Sequence, residues 1–395
     1  MRFKYLLIFV LSLFISDATA QVVKKTKSST FTLEKMDAEL GKLKNDRQTN
    51  TQWINALQFG ISDVGWDTGI DHYTRLPEKY KSTVTSNVWR LSRCSAGLAI
   101  RFSMKGSSFI EAKWTLRDNV YMAHMTPVGI NGLDLYVRLN GKWQWAGIGK
   151  PNSKDLEQHA VLKKGFLESR TYECIVYLPL YSGITNLELG FSPSAKIISQ
   201  KSTQRPLVFY GTSILHGCSA SRPGMAFSSI LGRYFDRSVI NLGFSGNGLM
   251  ENHFVKILAD IDAAVYVLDC LPNMTRMKKE DIYNRTMYMV TELRKLKPNT
   301  PIVLVEDRSY THPNLTGKPV VYDRREAMKQ AYKELRKQYK YLYYVNGAIL
   351  LGTDNEACID GSHPTDLGMM RYFEALKPTL NKALKHIESK KHGKE

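Results

Sequence analysis

Alternating hydrophobic and polar residues dominate the chain between about residue 50 and residue 200. In several short segments every second residue is apolar, which is the pattern of a strand with one buried face. These segments are 98–104, 110–116, 133–139, 172–180 and 184–191. Asn140-Gly141 is a strong hairpin turn signal directly after the third segment. Because short strands follow one another with few helical periods, residues 51–200 are predicted to form a β-sandwich of the jelly-roll type.

From Pro206 onward, short apolar runs alternate with segments of helical period. The expected strands are 207–210, 239–242, 263–268, 301–305 and 341–345. The expected helices are 226–235, 282–296, 324–339 and 366–386, the last with a bend at Pro378. The run 263–268 is continuously apolar, which places it at the centre of a parallel sheet. The pattern therefore predicts a three-layer α/β/α domain over residues 205–388, with ligands beyond the carboxyl ends of its strands.

The first residues have the pattern of an export signal. Arg2 and Lys4 precede an apolar run, and Ala18-Thr19-Ala20 resembles a signal-peptidase cleavage site. Residues 1–20 are therefore predicted to be a signal peptide, and the mature protein is expected to be periplasmic or extracellular. Residues 21–50 are interpreted as a polar leader or linker and residues 389–395 as a basic tail. No later apolar stretch approaches the length of a membrane span.

The net charge and the cysteine content exclude only a few classes of function. The net charge of +18 is best explained by solvated lysine and arginine side chains, and no nucleic-acid-binding motif accompanies it. An acidic polysaccharide is compatible with this charge. The five cysteines match neither a zinc site nor a disulfide framework, so all of them can be buried thiols. Two of the cysteines that flank the segments described next could also be bonded to each other.

Four polar segments follow predicted strands or precede the last helix, where a parallel sheet binds its ligands. They are 211–213, 243–248, 269–273 and 360–364. Ser213 can serve as a nucleophile, His363 as the base that takes its proton, and Asp360 as the carboxylate that orients the ring. The backbone N–H groups of Ser213 and Gly246 and the side-chain amide of Asn273 are the candidate oxyanion donors.

Other residues near these segments have competing interpretations. His216 is expected to line the site or to cap a helix, because its position one turn after Ser213 is awkward for a base. Glu306 and Asp307 are expected to make structural hydrogen bonds. Cys218, Cys270 and Cys358 each flank one of the four segments, but none has the context of a nucleophile.

The four segments resemble the blocks of the SGNH, or GDSL-like, hydrolase family. The similarity spans roughly residues 205–388, with Ser213, Gly246, Asn273 and His363 in the family order. The segment Gly132–Tyr136 also resembles the β-rich domain that precedes some of these hydrolases. The resemblance implies a two-domain bacterial carbohydrate esterase. Two departures are that Gly-Thr-Ser replaces Gly-Asp-Ser at 211–213 and that Met274 follows Asn273 where the family often has Asp.

The sequence thus predicts a secreted serine esterase that removes small acyl groups, O-acetyl above all, from a carbohydrate. It predicts neither a cofactor nor a metal, and the expected partner is an acetylated glycan substrate. Two alternatives remain open: a lipase or thioesterase for longer acyl chains, and a glycan-binding protein with a silent hydrolase fold. The oligomeric state, the sugar and the acylated position are left open.

Overall fold

The computed structural model of the protein describes residues 44–46, 50–69, 71–152, 154–309 and 323–392. The predicted signal peptide and most of the predicted leader lie outside these residues, as does the end of the basic tail. The described residues all belong to one unit of chain contacts, Leu43–Glu395. Within the described ranges, none of the helices has both the length and the apolarity that a membrane span needs.

The first part of the chain forms two antiparallel sheets. One sheet has the strand order β1-β2-β9-β4-β7 and the other β10-β3-β8-β5-β6. The strands are β1 Lys44–Asp46, β2 Thr51–Asn55, β3 Ala99–Lys105, β4 Phe109–Leu116, β5 Leu133–Leu139, β6 Lys142–Gly149, β7 Glu157–Lys164, β8 Tyr172–Tyr177, β9 Ile184–Phe191 and β10 Lys196–Ser199. Short helices α1 Ser86–Ser92 and α2 Pro127–Asn131 and the 3-10 turns Ala56–Phe59 and Glu78–Tyr80 connect them.

A core between these sheets is built from the alternating apolar positions of the strands. Phe102, Trp114, Leu135 and Leu189 are among its buried members. Successive strand residues point to opposite faces, so this core lies against one face of each sheet. On the other face of the second sheet, Tyr177 is also buried. The second sheet is therefore covered on both sides.

The second part is a parallel five-stranded sheet with the order β12-β11-β13-β14-β15. Its strands are β11 Leu207–Gly211, β12 Val239–Gly243, β13 Val265–Asp269, β14 Ile302–Val305 and β15 Leu342–Val345. Its helices are α3 Ser213–His216, α4 Phe227–Phe235, α5 Phe254–Ala259, α6 Lys279–Leu296, α7 Asp323–Gln338 and α8 Asp366–His392, with 3-10 turns Pro223–Met225, Leu271–Asn273 and Gly347–Ile349. Two separate apolar clusters contain alternating residues of this sheet, which gives the predicted three-layer α/β/α arrangement.

A buried polar contact joins the two parts. The carboxylate of Asp134 in β5 accepts hydrogen bonds from Arg222 at 2.8 Å, from the backbone N–H of Gly224 at 2.8 Å and from the indole of Trp145 at 3.1 Å. Arg222 also donates to the hydroxyl of Tyr136 at 2.6 Å. A Cβ atom on Gly224 would lie 2.4 Å from the Tyr136 ring, so only glycine fits there. The segment Gly132–Tyr136 thus holds in place the loop with Arg222 and Gly224, which follows the predicted nucleophile Ser213.

The structure confirms the fold predicted from the hydrophobic pattern, including the central position of β13. Several short elements were not predicted from the sequence: the strands β1, β2, β7 and β10 and the helices α1, α2, α3 and α5. Strand β7 lies at the edge of its sheet, and most of its side chains are exposed or half-buried. It therefore has few apolar residues, and its sequence lacks the apolar alternation that predicts a strand. Helix α8 continues past Pro378 to His392.

Candidate active site

The four predicted segments lie at the carboxyl edge of the parallel sheet. Ser213 begins α3, two residues after β11 ends, and Thr212 caps that helix. Gly246 lies in the loop after β12, and Asn273 ends the 3-10 turn after β13. His363 lies just before α8. Because parallel strands end at the same edge, loops far apart in sequence meet there.

Ser213, His363 and Asp360 form one continuous chain of hydrogen bonds. The Oγ atom of Ser213 lies 2.9 Å from Nε2 of His363. The Nδ1 atom of the same ring lies 2.7 Å from Oδ2 of Asp360. Ser213 is 6% exposed, whereas the His363 side chain keeps 24% of its surface exposed. The three residues that the sequence analysis grouped are therefore in the geometry of a nucleophile, a base and an orienting carboxylate.

Asp360 is held by its own loop as well as by the ring. Its Oδ1 atom accepts the backbone N–H of Ser362 at 2.9 Å and that of His363 at 2.7 Å. Partial burial would raise the pKa of Asp360, but the hydrogen bonds from His363 and Ser362 outweigh it and hold the pKa at about 2. The carboxylate is therefore ionised at neutral pH and keeps the proton of His363 on Nδ1.

His363 has a second polar neighbour that the sequence analysis did not place there. A hydrogen bond with the thiol of Cys218 contributes most to raising the pKa of His363, and Asp360 adds to it. The pKa of the ring reaches about 9 although partial burial acts in the opposite direction. The neutral ring, which can accept a proton from Ser213, therefore becomes dominant only in alkaline solution.

The candidate oxyanion donors come from three loops. Gly246 is exposed and has φ +69°, and among the described residues no atom lies within 4 Å of where a Cβ would be. A non-glycine residue would be strained in this left-handed conformation. The Asn273 amide donates one hydrogen bond to the carbonyl of Asn247 at 2.5 Å, which links the loops after β12 and β13. A side-chain amide carries two N–H groups, so the second one is available to a ligand.

His124 reaches this site from the β-rich part of the chain. Its Nε2 atom lies 3.3 Å from Sγ of Cys218, and its ring stacks on His363 with a centroid distance of 5.8 Å. No signal in the sequence pointed to it, because it lies in an irregular segment before α2. Among the described residues, His124, Cys218 and His363 form a cluster whose possible metal-ligand atoms all lie within 4.8 Å of one another.

Arg308 anchors the loop that carries His363. Its guanidinium donates to the carbonyl oxygen of Ser362 at 3.3 Å and also to the Ser362 hydroxyl. The arginine is 2% exposed and is itself paired with Asp307 at 2.5 Å. Arg324 contacts the other oxygen of Asp307 at 2.5 Å. Asp307 therefore has the structural role expected from the sequence, and it acts through Arg308 on the loop next to His363.

The expectations for His216 were wrong. The side chain is fully buried, and Nε2 donates to the carbonyl of Leu180 at 2.8 Å. Its ring stacks on Tyr181 with a centroid distance of 4.2 Å. Burial and, secondarily, the charge of Arg75 lower the pKa of His216 well below its ordinary value, so the ring is neutral. It packs between the two parts of the chain and neither lines the site nor caps a helix.

Cys218 and Cys270 are buried thiols outside any disulfide, so no bond joins two of the three cysteines that flank the predicted segments. Cys270 is buried and donates to the carbonyl of Tyr210 at 3.5 Å. Of the three cysteines that flank the catalytic segments, Cys218 is the one in the cluster with His363.

Next to His363, a groove of about 490 Å³ runs between the two parts of the chain. Its wall combines polar and apolar side chains, and residues from both parts contribute. The lining residues are Ala123, His124, Met125, Thr126, Ser219, Ser221, Ile359, Thr365, Asp366 and Leu367. Since His124 both lines the groove and stacks on His363, the groove opens near the His363 ring.

Comparisons with protein families match both parts of the chain. Residues 204–381 match the GDSL-like Lipase/Acylhydrolase family. Residues 51–197 match the family described as the N-terminus of Esterase_SGNH_hydro-type. No curated protein matches the chain significantly.

Solved structures share the whole two-part arrangement. A protein from Bacteroides ovatus designated a GDSL-like lipase is 37% identical with a TM-score of 0.78, over 85% of this chain and 98% of that one. The salicylyl-acyltransferase SsfX3 from a tetracycline biosynthetic pathway is 18% identical with a TM-score of 0.62, over 78% and 89%. A family two carbohydrate esterase from Cellvibrio japonicus is 13% identical with a TM-score of 0.57, over 85% and 99%. The last two show a common fold only. On the family match and the identity to the Bacteroides ovatus protein, the chain belongs to the GDSL-like lipase/acylhydrolase family and carries the N-terminal domain of SGNH-hydrolase-type esterases.

Proposed function

We propose that the protein is a serine esterase that removes small acyl groups, O-acetyl above all, from a carbohydrate. The observation that carries this proposal is the hydrogen-bonded chain from Ser213 through His363 to Asp360, with distances of 2.9 and 2.7 Å. A serine hydroxyl is a weak nucleophile unless a base takes its proton as it attacks, and this arrangement supplies one.

The reaction proceeds in two halves. Oγ of Ser213 attacks the ester carbonyl while its proton passes to Nε2 of His363. The tetrahedral intermediate then expels the sugar alkoxide, which takes that proton and leaves as an alcohol. Water repeats the sequence on the acyl-enzyme and releases the carboxylate. Asp360 stays ionised throughout and stabilises the imidazolium that forms in each half.

The oxyanion of each tetrahedral intermediate needs fixed donors. The backbone N–H groups of Ser213 and Gly246 and the amide of Asn273 are the groups that we assign to this task. They lie on three loops at one sheet edge, and the bond from Asn273 to Asn247 orients the amide before substrate arrives. Donors that are already oriented need no reorganisation in the transition state, which is why such groups are effective.

The groove beside His363 supports a carbohydrate as the alcohol part of the ester. The leaving alkoxide receives its proton from Nε2 of His363, so the alcohol must lie on the side of that ring. His124 stacks on this ring and lines the groove, whose lining carries hydroxyl and carboxylate groups from Ser219, Ser221 and Asp366 together with apolar patches. A sugar has hydroxyls at its rim and apolar C–H faces, which suits such a mixed lining. The carbohydrate esterase from Cellvibrio japonicus has the same fold.

The test is acetate release from a panel of acetylated polysaccharides and from nitrophenyl esters of increasing chain length. We expect the wild type to release acetate and Ser213→Ala to lose nearly all turnover. Ser202→Ala, an exposed serine away from these loops, is the matched control. Rates that rise with acyl length would support a lipase instead. Glycan binding by a wild type without any hydrolysis would indicate a binding protein, and wild-type rates in Ser213→Ala would overturn the assignment of the nucleophile.

We further propose that residues 1–20 direct export and are removed. The basis is the charged start, the apolar run and the Ala18-Thr19-Ala20 sequence. N-terminal sequencing of the protein from its native envelope fraction should begin at Gln21. Recovery of the protein with Met1 intact from the cytoplasm would contradict export.

A further inference from the structure

The cluster of His124, Cys218 and His363 combines three side chains that the proposed reaction does not require together. They come from three separate segments: the loop before α2, the turn after α3 and the loop before α8. Sγ of Cys218 is 3.3 Å from Nε2 of His124, and all three possible ligand atoms lie within 4.8 Å of one another. Tetrahedral zinc with bonds of about 2.0–2.3 Å places its ligand atoms at comparable mutual distances.

The three possible ligand atoms, one sulfur and two imidazole nitrogens, favour one class of metal ion. One thiolate and two imidazoles suit a borderline-soft divalent cation such as Zn²⁺, whereas Mg²⁺ and Ca²⁺ prefer oxygen ligands. The carboxylate of Asp360 binds Nδ1 of His363, so Nε2 is the nitrogen that faces the cluster. A metal-binding histidine usually has such a carboxylate on its other ring nitrogen, which fixes the ring orientation and makes it a better ligand.

We propose that His124, Cys218 and His363 form a binding site for Zn²⁺ or a similar borderline-soft cation, and that an ion in this site blocks the esterase. The ion takes two imidazole nitrogens and the sulfur of Cys218, whose thiol proton is released to solvent. The fourth position is open to water or to Oγ of Ser213, which lies 2.9 Å from Nε2 of His363. The ion occupies the lone pair of His363 that would otherwise accept the proton of Ser213. The blocking effect rests on the proposed function, but the binding site does not.

The route to the site is the groove between the two parts of the chain. Cys218 itself is 1% exposed, but His124 is half-buried and lines the groove. The His363 side chain keeps 24% of its surface exposed. An ion can therefore meet the two imidazoles first and the thiol afterwards. Because His124 belongs to the β-rich part, the bound ion also ties the two parts of the chain together beside the nucleophile.

The first test measures binding without reference to activity. The full chain is titrated with Co²⁺, whose bond to a thiolate gives a near-ultraviolet charge-transfer band. We expect this band in the wild type and in Ser213→Ala, and its loss in Cys218→Ser, which keeps the size and hydrogen-bonding ability of the side chain. Cys174→Ser is the matched control because Cys174 is buried in the β-rich core, away from the site. A band that persists in Cys218→Ser, or no band in the wild type, would overturn the proposal.

The second test measures inhibition of nitrophenyl acetate hydrolysis by Zn²⁺, each variant relative to its own rate in metal-free buffer. We expect inhibition of the wild type that a chelator reverses. Cys218→Ser and His124→Gln should each raise the half-inhibiting Zn²⁺ concentration at least about tenfold. His159→Gln, a partly exposed histidine of β7 that binds Glu111, is the control. Equal sensitivity of wild type and both variants would contradict the site. A cobalt band in a protein without esterase activity would support the site while overturning the proposed function.

Discussion

Asp360 binds His363 twice, through two different oxygens and to two different parts of the residue. Oδ2 lies 2.7 Å from Nδ1 of the ring, and Oδ1 accepts the backbone N–H at 2.7 Å. The short spacing of the two residues makes both bonds possible within one loop. The carboxylate consequently determines the direction of the ring and the shape of the loop at the same time.

We predict that Asp360→Asn lowers kcat by about 10³-fold to 10⁴-fold, because an amide nitrogen in place of Oδ2 cannot accept the Nδ1 proton and favours the wrong tautomer. Steady-state hydrolysis of nitrophenyl acetate, with circular dichroism as a check of folding, measures this. Asp354→Asn is the control, since Asp354 is an exposed aspartate of the same region that pairs with Arg371. A loss below about tenfold in Asp360→Asn would mean that the backbone orients His363 without the carboxylate.

The raised pKa of His363 predicts an alkaline optimum. In the proposed mechanism the neutral ring of His363 is the base. Below its pKa of about 9, log kcat/KM should therefore rise by one for each pH unit, and above this pKa it should level off. Asp360, with a pKa of about 2, stays ionised over this whole range. A pH-rate profile in a buffer series measures the pH at which this rising limb of the profile levels off.

Cys218→Ala should move that limb to lower pH, because the hydrogen bond with the thiol contributes most to the raised pKa of His363. Cys270→Ala removes another buried thiol near the sheet edge and should leave the limb in place. A wild-type limb centred at the ordinary imidazole value of about 6.5 would contradict the prediction.

Arg308 is predicted to position the loop of His363 without touching substrate. Arg308→Lys keeps the charge opposite Asp307 but cannot reach both oxygens of Ser362 with the same geometry. We expect kcat to fall by about 10-fold to 100-fold with KM nearly unchanged, since small displacements of a catalytic group cost rates of this order. Arg324→Lys is the matched control, because Arg324 contacts the other oxygen of Asp307 from helix α7. Equal losses in both variants would indicate a purely structural effect of the Asp307 cluster.

Breaking the contact between the two parts of the chain should cost much more stability than breaking a surface pair. Asp134 is fully buried, and its removal leaves the guanidinium of Arg222 and the N–H of Gly224 without their carboxylate. We predict that Asp134→Ala lowers the free energy of unfolding by about 3–5 kcal/mol. Glu292→Ala, which breaks the exposed pair with Lys295, should cost less than about 1 kcal/mol. Denaturant titrations compare the two, and similar losses would contradict the role of Asp134.

Local patterns predicted those features that depend on residues close together in the chain. Apolar periodicity revealed the strands of both parts, and the three-residue spacing of Asp360 and His363 suggested their bond. His124, Cys218 and Arg308 were not recognised as neighbours of the base, because their contacts join loops that are far apart in sequence. His216 was misplaced for the same reason: its partners Leu180 and Tyr181 belong to the other part of the chain. Such contacts depend on how the two parts pack, and no periodicity encodes that packing.

The mixed origin of the groove has a consequence for how such enzymes can diversify. Ala123, His124, Met125 and Thr126 form one wall from a loop of the β-rich part, while Ser213, Gly246 and Asn273 lie at the carboxyl edge of the parallel sheet. Loops at the surface tolerate insertion and substitution far better than the strands that hold them. Under the proposed function, changes in this loop can therefore alter which alcohol is accepted while Ser213, His363 and Asp360 keep their geometry. Under the proposed function, specificity for the alcohol can thus change through the part of the chain that contains no member of the hydrogen-bonded triad.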